Sequence, residues 1–354
     1  MKMTKTYRFA LIGCGVISRT HAEQISAIEN AELVAVVDRN EAKMKRLAAE
    51  YNVDGYVDYH EMLKREDIDV VNILTPSGMH SDMAIACANA GKHVITEKPM
   101  DVNIEKAHAM INVCKEQGVK LAVISQHRFD PATVQVKRAI EEERLGKLIL
   151  GQAAVNWYRS QEYYDSGEWR GTWELDGGGA LMNQSIHTID LLQYLMGPIT
   201  QVEAKIATLT HERIEVEDIA VATVRFANGG LGTIVGTTSA YPGLSARLEL
   251  FGTTGSAKIE DDELLQLFVK PDSSNSTPED AINLASQQSG DAATGSADPG
   301  AIAGNAHRLQ IEDMIEALEA GREPIVNGEE GLKPLEIILS IYESAQSRQP
   351  KTVQ

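Results

Sequence analysis

The sequence predicts an α/β protein in two parts: a first half with a parallel sheet, then an α+β half with an antiparallel sheet. Three observations predict this. Apolar strands alternate with helical segments through residues 1–126, which gives a parallel sheet with right-handed crossovers. Beyond that point strands come in runs joined by hairpin signals, which gives antiparallel pairing. At 354 residues the chain exceeds one typical core, so two domains are expected, 1–126 and 127–354.

The first element is the apolar strand Arg8 to Ile12, followed by Gly13-Cys14-Gly15-Val16-Ile17-Ser18 and a helix to about Ile28. This is the Gly-x-Gly-x-x-Gly fingerprint of a Rossmann dinucleotide site, with Ser18 in the third place, where only a small residue is needed. In that reading Gly13, Gly15, Val16 and Ile17 hold the dinucleotide, its phosphates facing the helix N-terminus. The second strand, Leu33 to Val37, ends in Asp38, about where a ribose-binding carboxylate is expected. Asp38 repels a 2′-phosphate, whereas its neighbour Arg39 attracts one. NAD is therefore favoured over NADP.

The alternation continues with a helix from Glu41 to Tyr51 and a strand from Val70 to Leu74, which runs into Thr75-Pro76. A helix from about His80 to Ala90 stops at Gly91. The strand His93 to Glu97 then ends in Glu97-Lys98-Pro99, where Pro99 cannot extend a ladder. A lysine at the carboxyl end of a buried strand sits where open α/β sheets bind ligands. Asn103 caps a helix to Gly118, and Lys120 to Ser125 is the last strand of this half.

In the second half, strands are expected at Lys147–Tyr158, Ile199–Ala207, Asp218–Phe226, Leu231–Ser239, Arg247–Phe251 and Ser256–Glu260. Asn228-Gly229 marks a hairpin. Residues 271–303, rich in Ser, Asp, Ala and Gly, read as a solvated loop, followed by helices near Asn305–Ala320 and Gly331–Ser347. Between the first two strands, Gly177-Gly178-Gly179 leads into a helix from Ala180 to about Met196. Helical spacing puts Asn183, His187, Asp190 and Tyr194 in one polar stripe on an otherwise apolar helix. His187 can exchange protons near neutral pH, and Asn183 can donate to and accept from a hydroxyl. Upstream, Tyr158, Arg159, Tyr163, Tyr164, Trp169, Arg170 and Trp173 gather aromatics in a chain with only 5% of them. Aromatic faces with a few Arg donors suit a polyhydroxylated small molecule. An aromatic packing cluster or a subunit contact is the alternative.

Composition narrows the field. A net charge of −18 argues against nucleic acid or an anionic membrane as a partner. No apolar run approaches a membrane span, and no secretory signal is visible at the start. Cys14, Cys87 and Cys114 form no disulfide framework and no metal spacing, so no metal is expected and a reducing cytoplasm is.

The combination of Gly13-Cys14-Gly15, Thr75-Pro76 with His80, Glu97-Lys98-Pro99, Arg128-Phe129 and Gly177-Gly178-Gly179 leading to His187 resembles the Gfo/Idh/MocA oxidoreductases over nearly the whole chain. The resemblance implies a Rossmann domain plus a C-terminal domain with a large, mostly antiparallel sheet that forms homodimers or homotetramers. It implies NAD(P)-dependent oxidation of a secondary alcohol of a sugar, sugar derivative or cyclitol. It places the nicotinamide between the domains, with Lys98 and His187 as catalytic residues. Thr75, Pro76, His80, Glu97 and Lys98 then join the cofactor contacts. Arg128, Tyr158, Arg159, Trp169, Arg170 and Asn183 join His187 on the substrate. Many members carry Asp where this chain has Asn183, which puts a carboxylate-assisted relay in doubt. Two alternatives stay open: a UDP-sugar dehydrogenase, and a non-catalytic NAD-binding regulator on the same fold.

Overall fold

The computed structural model describes residues 5–271, 277–285 and 305–353. Most of the expected 271–303 loop lies outside them. The chain divides into two compact units. The first takes Met1–Gln126 and, from further along, Glu174–Gly177 and Gly304–Leu332; the second takes the rest.

In the first unit, β1 (Tyr7–Ile12) leads to α1 (Ile17–Ser26), β2 (Ala31–Val37) to α2 (Glu41–Tyr51), and β3 (Asp54–Tyr56) to α3 (Tyr59–Leu63). Then come β4 (Val70–Ile73), α4 (His80–Asn89), β5 (His93–Thr96), α5 (Ile104–Glu116) and β6 (Leu121–Val123). The strand order is β3-β2-β1-β4-β5-β6, with every pairing parallel. Strands covered on both faces need continuous apolar runs, and β4 and β5 are almost wholly buried. The order reverses between β1 and β4, so the carboxyl ends of β1, β2, β4 and β5 line the position where such sheets bind ligands.

In the second unit, α6 (Pro131–Glu141) precedes β7 (Leu148–Asn156), α7 (Gln161–Asp165) and α8 (Ile186–Met196). Strands β8 (Ile199–Ala207), β9 (Ile219–Phe226), β10 (Leu231–Thr237), β11 (Ala246–Gly252), β12 (Gly255–Glu260), β13 (Glu263–Val269) and β14 (Ile282–Asn283) follow. After α9 (Ala306–Ala320), which belongs to the first unit, come α10 (Gly328–Ser347) and β15 (Lys351–Thr352). The sheet runs β14-β13-β12-β11-β7-β10-β9-β8-β15, and among these pairs only β7–β10 is parallel. Alternation along β9, one residue in and one out, leaves one face of the sheet covered and the other exposed. On the covered face α8 lies against β7 at Gly151, where a Cβ would meet Met196 at 2.8 Å.

The strand β13 was not expected. It follows β12 through Asp261-Asp262, both at positive φ (45° and 65°), the conformation of a tight hairpin turn. Asp tolerates that region, but the glycine that normally signals it is missing.

Candidate active site

The first unit builds its site on backbone. Gly13 has φ 107°, and a Cβ there would meet the Leu74 carbonyl oxygen at 2.7 Å. At Gly15 a Cβ would meet nothing within 4 Å, so the loop is open where a pyrophosphate must approach it. Ser18 is buried, and its hydroxyl donates to the Gly15 carbonyl at 2.6 Å, which ties the turn where a third glycine would only have fitted. Asp38 leaves β2 half-buried and accepts from the Cys14 amide at 2.8 Å and the Asn40 amide at 2.7 Å. It thereby holds both the glycine loop and the start of α2, while Arg39 and Val16 are exposed. These groups fit a dinucleotide: an open glycine, a helix N-terminus at Ile17 and a carboxylate at the end of β2.

At the ends of β4 and β5, Thr75 and Pro76 are half-buried and Lys98 likewise. The Lys98–Pro99 peptide is cis. His80 and Glu97, expected at the cofactor, both turn into the unit. The His80 ring nitrogens lie 2.8 Å from the Thr75 carbonyl and 2.9 Å from that of Pro99, so the ring spans the two strand-end loops. Burial pulls its pKa below the usual value. Glu97 Oε1 accepts from His21 Nε2 at 3.0 Å, with His307 Nε2 at 3.7 Å, and Oε2 accepts from the Lys98 amide at 3.1 Å. Burial pushes the Glu97 carboxyl up, but the two histidines outweigh it and hold it well below the usual range. The Glu174–Gly177 segment docks on the same unit, Leu175 accepting from the Gly78 amide at 3.1 Å.

The second unit builds its site on side chains. The expected single helix is two: residues Ala180–Ser185 form a π-helix, and only Ile186–Met196 is α. Glu217 stands at the π-helix entry, accepting from the Gly179 and Leu181 amides at 3.0 and 2.8 Å and from the Tyr342 hydroxyl at 2.9 Å. Burial pushes its carboxyl up to about 7. A wider turn changes the stripe's spacing, and π-segments mark functional sites often. Asn183, His187 and Tyr194 are half-buried, whereas Asp190 is buried and accepts two hydrogen bonds from Arg128, at 2.8 and 2.6 Å. Arg128, expected on the substrate, is 4% exposed, pairs with Asp190 and stacks on Tyr194 at 4.6 Å.

The aromatic stretch is brought together with Gln184. Arg159 donates twice to Gln184 Oε1, at 3.1 and 2.7 Å, and Gln184 donates to the Tyr163 hydroxyl at 3.0 Å. Arg170 donates to the same hydroxyl at 2.6 Å and lies between the Tyr163 and Trp169 rings, at 4.2 and 4.5 Å. Arg159 is buried, while Tyr158, Trp169 and Arg170 are half-buried. The His187 ring meets that of His127 edge-on at 4.9 Å. His127 Nδ1 lies 2.7 Å from Asp130 and 3.0 Å from Asp262. Burial pulls His127 down, but the two carboxylates, Asp262 first, raise it to about 10.

Sequence reading missed His21, Asn72, His127, Gln184, Glu217, Asp262 and His307. Gln184 sits beside a chosen residue and carried a usable signal, a polar side chain on an apolar helix. The others are joined only by the fold. Two groups, His21 with Glu97 and His307, and His127 with Asp130 and Asp262, bring their ligand atoms within 4.8 Å of one another. In both the histidines and carboxylates already face each other.

Residues 7–125 match the oxidoreductase family with an NAD-binding Rossmann fold, and residues 133–258 match the GFO/IDH/MocA C-terminal domain. Myo-inositol 2-dehydrogenase of Thermotoga maritima is 31% identical over 253 residues, 70% of this chain and 73% of that one. Inositol 2-dehydrogenase of Rhizobium meliloti is 27% identical over 352 residues, 97% of this chain and 98% of that one. The crystal structure of the WlbA dehydrogenase from Bordetella pertussis, in complex with NADH and UDP-GlcNAcA, has 34% identity, covers 99% of both chains and gives a TM-score of 0.86.

Proposed function

The chain belongs to the GFO/IDH/MocA oxidoreductases, and from that premise we propose that it oxidises a secondary alcohol of a sugar, sugar derivative or cyclitol to a ketone with NAD. The observation that carries the reading is Lys98, half-buried at the carboxyl end of β5 in the same parallel sheet as the open glycine loop. NAD, when bound, supplies the hydride acceptor. Gly13, Gly15, Val16 and Ile17 hold its phosphates and Asp38 its ribose. Lys98 and His187 handle the hydroxyl proton, and Asn183 orients the hydroxyl through its amide. The Tyr163, Trp169 and Arg170 stack, with Tyr158 and Arg159, receives the ring.

Lys98→Met tests the reading. kcat falls by ~10²–10⁴-fold, as for loss of a general acid or base, while NADH affinity stays within a few-fold. Near-wild-type turnover returns Lys98 to an ordinary surface lysine, whereas no turnover by the wild type on any substrate favours the non-catalytic regulator. A panel of sugars, cyclitols and UDP-sugars with NAD, read by NADH absorbance, identifies the substrate class.

A second reading, a nucleotide-sugar dehydrogenase, rests on the 34% identity over 99% of the chain to a protein solved with UDP-GlcNAcA. Thermal stabilisation by UDP but not by simple glycosides favours it. The protein acts in a reducing cytoplasm, a reading supported by three free buried cysteines, and as a homodimer or homotetramer through the exposed face of its nine-stranded sheet. Among the described residues no helix is long and apolar enough to cross a membrane.

A further inference from the structure

Behind Lys98 runs a line of buried polar groups that the proposed reaction does not use. Asn72, in β4, is fully buried, and its Nδ2 donates to His21 Nδ1 at 2.9 Å. That bond leaves the His21 proton on Nε2, which donates to Glu97 Oε1 at 3.0 Å. His21 is fully buried in α1. On the other side, His307 at the start of α9 is 2% exposed and brings its Nε2 to 3.7 Å from the same oxygen. The two imidazoles meet edge-on, their centroids 5.4 Å apart. The second carboxylate oxygen accepts the Lys98 amide at 3.1 Å.

A buried carboxylate is costly unless donors surround it. Here its partners come from three places far apart in sequence, and one is the amide of the residue that leaves the strand. With its plane set by His21, Glu97 fixes the amide of Lys98, and that amide sets where the lysine side chain starts. His21, Asn72 and His307 are buried, and one contact leading from the cluster toward the end of β5 is the Lys98 amide.

We propose that His21, Asn72 and His307 are positioning residues for Lys98, acting through the Glu97 carboxylate. The proposal rests on the catalytic reading of Lys98 given above. Reaction rate is steep in the placement of a catalytic group, a misplacement of ~1 Å costing ~10²-fold. The cluster therefore bears on turnover rather than on cofactor affinity, which the glycine loop and Asp38 determine.

The test is a double-mutant cycle on the full chain. His21→Leu lowers kcat by ~10²-fold, leaves the Kd for NADH within a few-fold, and is largely rescued by His21→Gln, whose amide N–H still donates to Glu97. In a Lys98→Met background His21→Leu lowers kcat no further, because the group it positions is gone. If His21→Leu does not fold, Asn72→Ala is carried through the same cycle, since it frees the imidazole without emptying its site. An equal loss in both backgrounds overturns the proposal and leaves the reading of Lys98 intact. Near-wild-type turnover of Lys98→Met alone removes that reading and the proposal with it. Stoichiometric metal in the purified protein, lost on His21→Leu, also overturns it, because the histidines are then ligands.

Discussion

Among the described residues, each unit has a three-residue cluster of histidines and carboxylates next to a proposed catalytic residue, and the two are built in opposite proportions. In the first unit two histidines share one carboxylate, Glu97, whose backbone neighbour is Lys98. In the second, two carboxylates share one histidine, His127, whose ring touches His187. Burial disfavours charge in both places, and in both the shared group keeps its charge. Glu97 is held well below the usual carboxylate range, and His127 is raised to about 10. Two partners outweigh desolvation where one would have to match it. The first cluster therefore presents a buried anion and the second a partly exposed cation.

The largest effect that tests this contrast is expected at the residues the clusters adjoin. His187→Ala should lower kcat by ~10²–10⁴-fold, as expected for Lys98→Met. Steady-state kinetics on both variants decides whether the two clusters serve equal roles. If only one loss is large, only that cluster adjoins a proton-handling group.

The buried Arg128–Asp190 pair provides the next test. Arg128 and Asp190 are both buried, and two hydrogen bonds join the guanidinium to the carboxylate. Asp190→Ala takes that carboxylate away from a buried guanidinium, at a cost of ~3–5 kcal/mol. Urea unfolding of the variant measures it. His127 keeps Asp130 when Asp262 is lost, and the Asp262 side chain is exposed, so Asp262→Asn should be milder than Asp190→Ala. The reverse order would mean that sharing does not protect the shared group.

The clusters should also fail at opposite ends of the pH scale. The folded pKa of His127 lies above its ordinary 6.5, so its contribution is complete below that value and lost as pH rises through about 10. Glu97 is depressed below 4.5, so its contribution is present above that value and lost as pH falls below it. His21, lowered by burial, adds to the acid loss, because the unfolded chain gains a proton that the native state refuses. Urea midpoints from about pH 4 to about pH 10 should decline at both ends, and Asp262→Asn should flatten only the alkaline decline. Flattening at the acid end would assign the wrong cluster to it.

The smallest effect is expected outside both clusters. Asp38→Ala should narrow the preference for NAD over NADP by ~10-fold, or ~1.4 kcal/mol, in parallel binding titrations. A wild type that prefers NADP would make Arg39 the deciding group.

What was legible in the sequence was local. The glycine loop, Asp38 and Lys98 each sit at a strand end, and strand ends announce themselves through short apolar runs and turn residues. Strand β8 matches its expected limits, Ile199–Ala207, because β-branched alternation is a nearest-neighbour signal. The π-helix was not legible: Asn183 and His187 suit an α-helix as well, and the carboxylate that accepts its entry amides is Glu217, in the loop before β9. Both histidine clusters escaped for the same reason. His21, Glu97 and His307 come from α1, the end of β5 and α9, and no window of sequence contains them together.

The return of α9 to the first unit has a consequence for how the protein is made. Ile311, Met314 and Ile315 are part of the core that holds Phe9, Leu11, Ile25 and Ile28. A nascent chain that has delivered all six parallel strands still lacks that wall, and Ile25 and Ile28 stay open to water. The ribosome adds ~5–20 residues per second, so the gap lasts roughly ten seconds or longer. During that interval the glycine loop has its sequence but not its finished support, and a chain released early would expose the apolar side of α1 to chaperones and proteases rather than to a dinucleotide.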